Sequence, residues 1–125
     1  MAVTHATALR NTLCNAAVDA LDGGTTDAAG DVQWANSSDT VLATGALSNP
    51  AFGAASGGTA TASAIGDATV GTAGTLAKAF FRNRDNTEQF RCAVGTSGSD
   101  INLSSLGVGI GDIVRLTALT YSAPT

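Results

Sequence analysis

The stretch "LAKAFFRNRDNTEQFRCAVG", residues 76–95, decides the fold class of this chain. Two segments of strand length, 76–84 and 87–95, lie on either side of the turn-forming pair Asp85-Asn86. Apolar-rich segments separated by such a pair indicate an antiparallel β-hairpin. With a two-residue turn, one face of this hairpin is apolar and buried. The register then pairs Phe81 with Phe90, Ala79 with Cys92 and Ala77 with Val94.

The opposite face of the hairpin concentrates the positive charge of an acidic chain. Four of the six basic residues lie between positions 78 and 91, beside two acidic ones, although the whole chain has a net charge of −4. A strand face with several cations and one aromatic ring can bind acidic groups of a partner and make cation–π contacts. The other interpretation is a solvated outer face. The candidates for partner contact are Lys78, Phe80, Arg82, Arg84 and Arg91.

The N-terminal residues predict an amphipathic helix at about 5–22. Apolar residues recur every four positions there, and polar residues occupy the remaining directions. Thr4 or Thr7 can cap its first turn, and the pair Gly23-Gly24 can end it. The apolar stripe consists of Leu9, Leu13, Ala17 and Leu21.

Beyond residue 30 the helical period gives way to short segments rich in Val, Ile, Thr and Phe, with Gly and Asn between them. This pattern is typical of β-structure. The Gly-rich stretches "GAASGG" and "GDATVGTAG" are interpreted as loops of the same domain. We therefore predict one mainly β domain over residues 1–125: an N-terminal α-helix and, over 31–121, an antiparallel β-sandwich or jelly-roll-like unit. The predicted strands are 31–36, 40–48, 59–65, 76–84, 87–95 and 112–121, with a short extended piece at 101–106.

The composition predicts a thin hydrophobic core. Ala, Gly, Ser and Thr make up more than half of the 125 residues, against four Phe, one Trp and one Tyr. Small side chains contribute little burial energy, so we expect assembly into a homo-oligomer, a dimer or trimer, to add stability. A sequence pI near 4.5 argues against general binding of nucleic acid. No membrane span or signal peptide is predicted, and folding in a cytoplasm is expected.

The sequence offers no recognisable catalytic, metal or cofactor site. His5 is the single histidine, and the carboxylates are scattered one to a loop. "GVGIGD" at 107–112 precedes a strand instead of joining a strand to a helix, unlike a phosphate-binding loop. Cys14 and Cys92 are interpreted as two buried free thiols. We therefore predict a non-enzymatic protein that needs no cofactor.

Several segments resemble a family of small virion proteins of tailed bacteriophages. They are "TVLATGALSNPAFGAASGGTATASAI" (40–65), "GTAG" (71–74) and "AVGTSGSDINL" (93–103). The helix of "RN…AVD" type in that family is matched by Arg10-Asn11 and Ala17-Val18-Asp19. The resemblance thus extends over nearly the whole chain in the same order.

The resemblance implies a virion component, and for a small β domain it implies a capsid decoration (cement) protein on the exterior of the head. The implied partner is the major capsid protein, and synthesis would occur in the cytoplasm of the host bacterium. Besides the hairpin face, the loop residues Pro50 and Phe52 are contact candidates. Phe52 could equally close its own core, and scarce large apolar residues favour that interpretation.

A second hypothesis is a tail or fibre-associated module that binds a host-surface glycan. Sugar sites present exposed aromatic platforms beside polar groups. The six aromatic residues leave few for this purpose, because Trp34 and Tyr121 are expected mainly in the core. The decoration hypothesis is therefore preferred.

Overall fold

The computed structural model describes residues 3–123, in which one α-helix precedes a series of short strands. The helix α1 spans Thr7–Asp19 and continues as a 3-10 turn over Ala20–Asp22. The strands are β1 (Asp31–Ala35), β2 (Val41–Ala46), β3 (Thr59–Thr61), β4 (Ala68–Val70), β5 (Gly74–Thr75), β6 (Lys78–Arg82), β7 (Glu88–Gly95), β8 (Ile101–Asn102), β9 (Gly107–Val108), β10 (Ile113–Val114) and β11 (Thr120–Ser122).

Seven strands form one sheet in the order β10-β4-β2-β1-β6-β7-β8. β1 lies at its centre and pairs antiparallel with β2 and β6. β7 and β8 pair in parallel through Val94 and Ile101, so the sheet is mixed, whereas the other strand pairs of the described residues are antiparallel as predicted. Two smaller pairs, β3 with β11 and β5 with β9, complete the domain. The prediction of a mainly β fold with one N-terminal helix is confirmed.

The core gathers most of the few large apolar side chains of the chain. Trp34 is 1% exposed, as the sequence predicted, and it shares the interior with Phe81, Leu76 and Leu21. Tyr121 packs against the edge of this core and is half-buried. Small residues such as Ala79 fill the central strands and let neighbouring elements approach closely.

The N-terminal helix and its 3-10 turn together span residues 7–22, within two residues of the predicted bounds, but the first turn is not capped as expected. Ala6 occupies the N-cap, whose methyl side chain accepts no hydrogen bond, instead of Thr4 or Thr7. At the other end Gly24 adopts a positive φ of 108°. This is the backbone geometry for which the Gly-Gly pair was interpreted as a helix stop.

Two strand predictions are corrected by the sheet. The segment "GDATVGTAG" was interpreted as a loop, yet it contains β4, because Ala68 and Val70 bury their side chains while β4 pairs with β2 and β10. The predicted strand 112–121 is two strands, β10 and β11, which belong to different sheets. The strand β4 has only three residues and lies between glycines, so the sequence pattern did not reveal it.

The hairpin has the predicted register but a different turn. Phe81 lies opposite Phe90 and Ala79 opposite Cys92. The register shifts after Phe81, so that Arg82 lies opposite Glu88, and the chain turns through residues 83–87. Asn86 has a φ of 62°, and the Asn83 side chain accepts hydrogen bonds from the N–H groups of residues 85 and 87. Asn83 thus builds a longer turn than the two-residue turn that was predicted.

Candidate interaction surfaces

Three of the four basic side chains of the hairpin, those of Lys78, Arg82 and Arg91, form ion pairs with acidic residues. Arg82 binds Asp31 of β1 through two hydrogen bonds, of 2.7 and 2.5 Å. Lys78 binds Asp39, which follows β1. The hydrogen bond from Lys78 lowers the pKa of the Asp39 carboxyl. The net charge summed over the hairpin residues does not include these acidic partners, because they belong to other elements. The face that was expected to be positive is therefore an ion-paired one.

Arg91 lies on the outer face of β7 above Phe80. Its guanidinium carbon is 4.4 Å from the centroid of the Phe80 ring, a cation–π distance, and its nitrogens bind Glu88 at 2.8 Å. Phe80 is consequently only 6% exposed, which corrects its assignment as an accessible contact residue. The predicted cation–π chemistry exists, but within the protein.

The tip of the hairpin is bound to the segment that follows the helix. Asp85 accepts hydrogen bonds from the N–H groups of Thr25 and Thr26 and from the Thr26 hydroxyl. These hydrogen bonds lower the pKa of the Asp85 carboxyl. Arg84 donates its Nε–H to the carbonyl of Asp27 at 2.6 Å. Arg84 and Asp85 therefore have a structural role at this junction.

The loop candidates Pro50 and Phe52 differ in their exposure to solvent. Pro50 is exposed and follows a cis peptide bond, whereas Phe52 is 3% exposed and joins the core cluster. Phe52 also forms an isolated β-bridge with Ala62. The interpretation of Phe52 as a residue that closes its own core is confirmed, and its role as a contact candidate is corrected.

The side of α1 that faces the domain is largely polar. Asn11, Asn15 and Asp22 accept hydrogen bonds through their Oδ1 atoms from backbone N–H groups of the loop at 51–58, at 2.7, 2.8 and 2.9 Å. Buried backbone donors need acceptors, and this loop obtains them from the helix. Among the larger side chains of the helix and its 3-10 turn, the apolar contribution to this side comes from Cys14, Val18 and Leu21.

The opposite side of α1 is exposed and carries apolar side chains beside polar ones such as Thr12. Leu9 is 47% exposed and Leu13, one turn later, is 39% exposed. Ala6 and Ala16 lie exposed beside them. The four-residue stripe noted in the sequence is therefore split, because the hydrogen bonds to the 51–58 loop fix which side faces inward. We call the surface formed by Ala6, Leu9, Leu13 and Ala16 the outer helix face.

A groove of about 480 Å³ lies between β7 and β11. Phe90 stacks on Phe81 with ring centroids 4.9 Å apart, and Tyr121 lies 5.3 Å from Phe90. Burial raises the pKa of the Cys92 thiol, which lines the groove, to about 12, and the nearby Asp100 carboxylate adds to that rise. The groove is lined also by Phe52, Leu119, Thr120 and Ser122. Sequence reasoning missed this site, because it placed Tyr121 in the core and could not bring β11 beside β7.

No protein-family model, curated protein or solved structure matches this chain. No helix within residues 3–123 is long and apolar enough to cross a membrane. In that same part of the chain, His, Cys, Asp and Glu side chains form no group of three or more that could hold a metal ion.

Proposed function

We propose that this protein is a capsid decoration protein that binds the major capsid protein on the exterior of a phage head. The observation that carries the proposal is the outer helix face, where Leu9 and Leu13 are exposed together on a helix fixed by its other side. Apolar side chains held on a rigid element suit contact with another protein. The resemblance of the sequence to small virion proteins of tailed phages gives the identity of that protein.

Burial of the outer helix face offers a modest gain for each copy. Covering a half-exposed leucine contributes on the order of 1 kcal/mol. A shell presents the same binding position many times, and many identical small proteins that bridge neighbouring subunits strengthen it collectively. A weak, repeated contact is therefore sufficient for this role.

Three of the hairpin and loop candidates stay accessible for a shell contact. The side chain of Arg91 is 49% exposed and that of Lys78 33% exposed, and Pro50 is exposed as well. Exposed ion pairs contribute little to stability and can exchange partners at low cost. We expect Lys78 and Arg91 to adjust specificity at the rim of the contact rather than to provide its affinity.

The second candidate function is a tail or fibre-associated module that binds a host-surface glycan. Trp34 is buried and offers no platform for a sugar. The half-buried rings of Phe90 and Tyr121 beside Asp100 are the aromatic and polar combination that favours this candidate. This candidate predicts that the protein gives a binding signal on a glycan array. Loss of that signal in Tyr121→Ala would assign the glycan to the groove.

The proposed function is tested by adding purified protein to heads that lack it, sedimenting them and counting the bound copies. We expect hundreds of copies per shell, saturating at a simple ratio to the major capsid protein. The double variant Leu9→Ser/Leu13→Ser should lose this binding. Ile110→Ser/Ile113→Ser is the matched control, because it removes two exposed apolar side chains, 76% and 51% exposed, from a different surface. A handful of copies or none would contradict decoration.

A further inference from the structure

Strand β7 keeps part of one edge open beside the groove. Val94 donates its N–H to Ala77 at 2.9 Å, so the alternate residues of the antiparallel pair, Arg91 and Ala93, direct their backbone groups away from β6. Along that outer edge, the pairing found among residues 3–123 is with β8, and it involves Val94 and Gly95. Among the described residues, the segment 88–92 therefore has one edge with which no strand pairs.

Asp100 ends the ladder on that side. Its Oδ2 accepts a hydrogen bond from the N–H of Ala93 at 3.0 Å, in the position that a carbonyl of a further strand would occupy. Two residues before Ala93 on β7, Arg91 directs its N–H and C=O toward this outer edge. Unused groups on an edge strand are a template for pairing with another chain.

Strand β11 borders the groove with a second edge, with which no strand within residues 3–123 pairs. Ala62 donates its N–H to the carbonyl of Leu119 at 2.8 Å, and Ala123 donates to that of Gly58 at 2.9 Å. These bonds join β11 to β3 through residues 119, 121 and 123, so Thr120 and Ser122 direct their backbone groups to the other side. Thr120, Ser122 and Arg91 all line the groove.

We propose that an extended segment of a partner chain adds to the outer edge of β7 and lays its apolar side chains in this groove. The inference deepens the proposed function and rests on it, because the partner is the major capsid protein. An extended chain matches both features of the site: its backbone pairs with Arg91, and every second side chain projects toward the Phe90 and Cys92 side.

The chemistry of the groove selects the composition of this segment. Phe81, Phe90 and Tyr121 form one aromatic row, and the Cys92 thiol beside it stays protonated, so this part of the groove is apolar, while Arg91 and Asp100 are the charged residues of its lining. The positive charge of Arg91 is balanced by Glu88 on the outer face. A segment with alternating apolar and small polar residues fits this surface, since its apolar positions contact the rings.

Arg91→Pro tests this proposal on complete heads that lack the protein. Proline removes the outward N–H of position 91 without removing a hydrogen bond between β6 and β7, and edge strands accept proline. Arg91→Ser is the matched control, because it removes the same side chain and keeps the N–H. Because both variants lack the arginine side chain, their difference isolates the N–H, and we expect Arg91→Pro to bind at least tenfold fewer copies than Arg91→Ser.

Hydrogen exchange of the wild-type protein provides a second measurement that does not depend on the fold of a variant. The segment 88–92 should exchange more slowly on heads than free in solution, while the peptide that contains Ile110 should not change. Equal exchange in the two states, or equal binding by Arg91→Pro and Arg91→Ser, would overturn strand addition and leave decoration standing.

Three other results separate the remaining occupants. If neither the wild type nor any variant binds heads, the decoration proposal and the strand-addition proposal are both wrong. If the free wild type is a dimer in sedimentation equilibrium and Arg91→Pro is a monomer, the occupant is a second copy and the proposal is overturned. If binding to heads is abolished by a mixture of free hexoses, the groove is a saccharide site and the proposal is again overturned.

Discussion

The two arms of the central hairpin, β6 and β7, both combine apolar and charged residues but have different positions in the fold. β6 lies between β1 and β7, pairs along both edges, and buries Ala79, Phe80 and Phe81. β7 pairs fully with β6 but only at its end with β8, and most of its residues are exposed or half-buried. One arm of the hairpin is thus a core strand and the other an accessible edge.

This difference shows that the neighbours of a strand decide what its side chains do. Arg82 on β6 reaches Asp31 across the β1 pairing, and both side chains are largely buried. Arg91 on β7 binds Glu88 of its own strand and remains half-exposed. Function is therefore expected on β7 and stability on β6, and substitutions at equivalent positions test this division.

The largest effect is expected from truncating the stacked phenylalanines. Phe81 is 1% exposed, so Phe81→Ala leaves a cavity and should lower the free energy of unfolding by about 3–5 kcal/mol. Phe90 is half-buried at the groove, so Phe90→Ala should cost about 1–2 kcal/mol. Urea denaturation followed by far-ultraviolet circular dichroism measures both values. Equal losses would show that β7 is as much a core strand as β6.

A smaller difference is expected between the two arginine pairs. Arg82→Gln removes one partner of a two-bond ion pair with Asp31 in a partly buried place, and the loss should be about 1–2 kcal/mol, since hydrogen bonds to charged groups are the stronger ones. Arg91→Gln removes a pair that water screens, and its effect on urea midpoints should be much smaller. If Arg91→Gln lowered the urea midpoint more than Arg82→Gln did, the outer face of β7 would be the more important one for the stability of the hairpin.

Acidification should weaken the junction at the hairpin tip. Backbone hydrogen bonds from Thr25 and Thr26 lower the pKa of Asp85 in the folded protein below its unfolded value. The stability that this carboxylate contributes is therefore present above the unfolded pKa, near 4, and is lost as the pH falls through the folded pKa. Lys78 and Arg115 lower the pKa values of Asp39 and Asp67, respectively, so the stability that these two carboxylates contribute is also lost as the pH falls.

The Asp85→Asn variant isolates this contribution. It should be less stable than the wild type at pH 7, and the difference should shrink as the pH falls toward 2. Asp19→Asn serves as the control, since it removes an exposed carboxylate of α1. Urea midpoints between pH 7 and 2 measure the difference, and a gap that stays constant over this range would contradict the linkage.

Local patterns in the sequence predicted the secondary structure better than the surfaces. The register of Phe81 with Phe90 follows from alternation within one hairpin, and it was predicted correctly. The ion pairs of Arg82 and Lys78 depend on β1 lying beside β6, which no spacing within the hairpin reveals. Charge counted along the sequence therefore overestimated the positive potential of this face.

The helix shows the same limit of sequence reasoning. Its four-residue apolar stripe and its polar positions are plain in the sequence, but the inward side was decided by the 51–58 loop, whose N–H groups require Asn11 and Asn15. Burial of backbone donors outweighed burial of Leu9 and Leu13 there. Likewise the groove depends on β11 approaching β7 across 30 residues of chain, a contact that propensity does not encode.

The smallest effect on stability is expected from the thiol of β7, and it reports on the groove. Burial raises the pKa of Cys92 to about 12, so at pH 8 the reactive thiolate is a very small fraction of the molecules. Iodoacetamide should modify Cys92 at least tenfold more slowly than it modifies a cysteine in a short peptide. Cys14 is fully buried and serves as an internal reference for unfolding, because its modification requires opening of α1. If Cys92 reacted at the peptide rate while Cys14 did not, the groove would be open to water along β7, and an added strand would find no apolar surface there to cover.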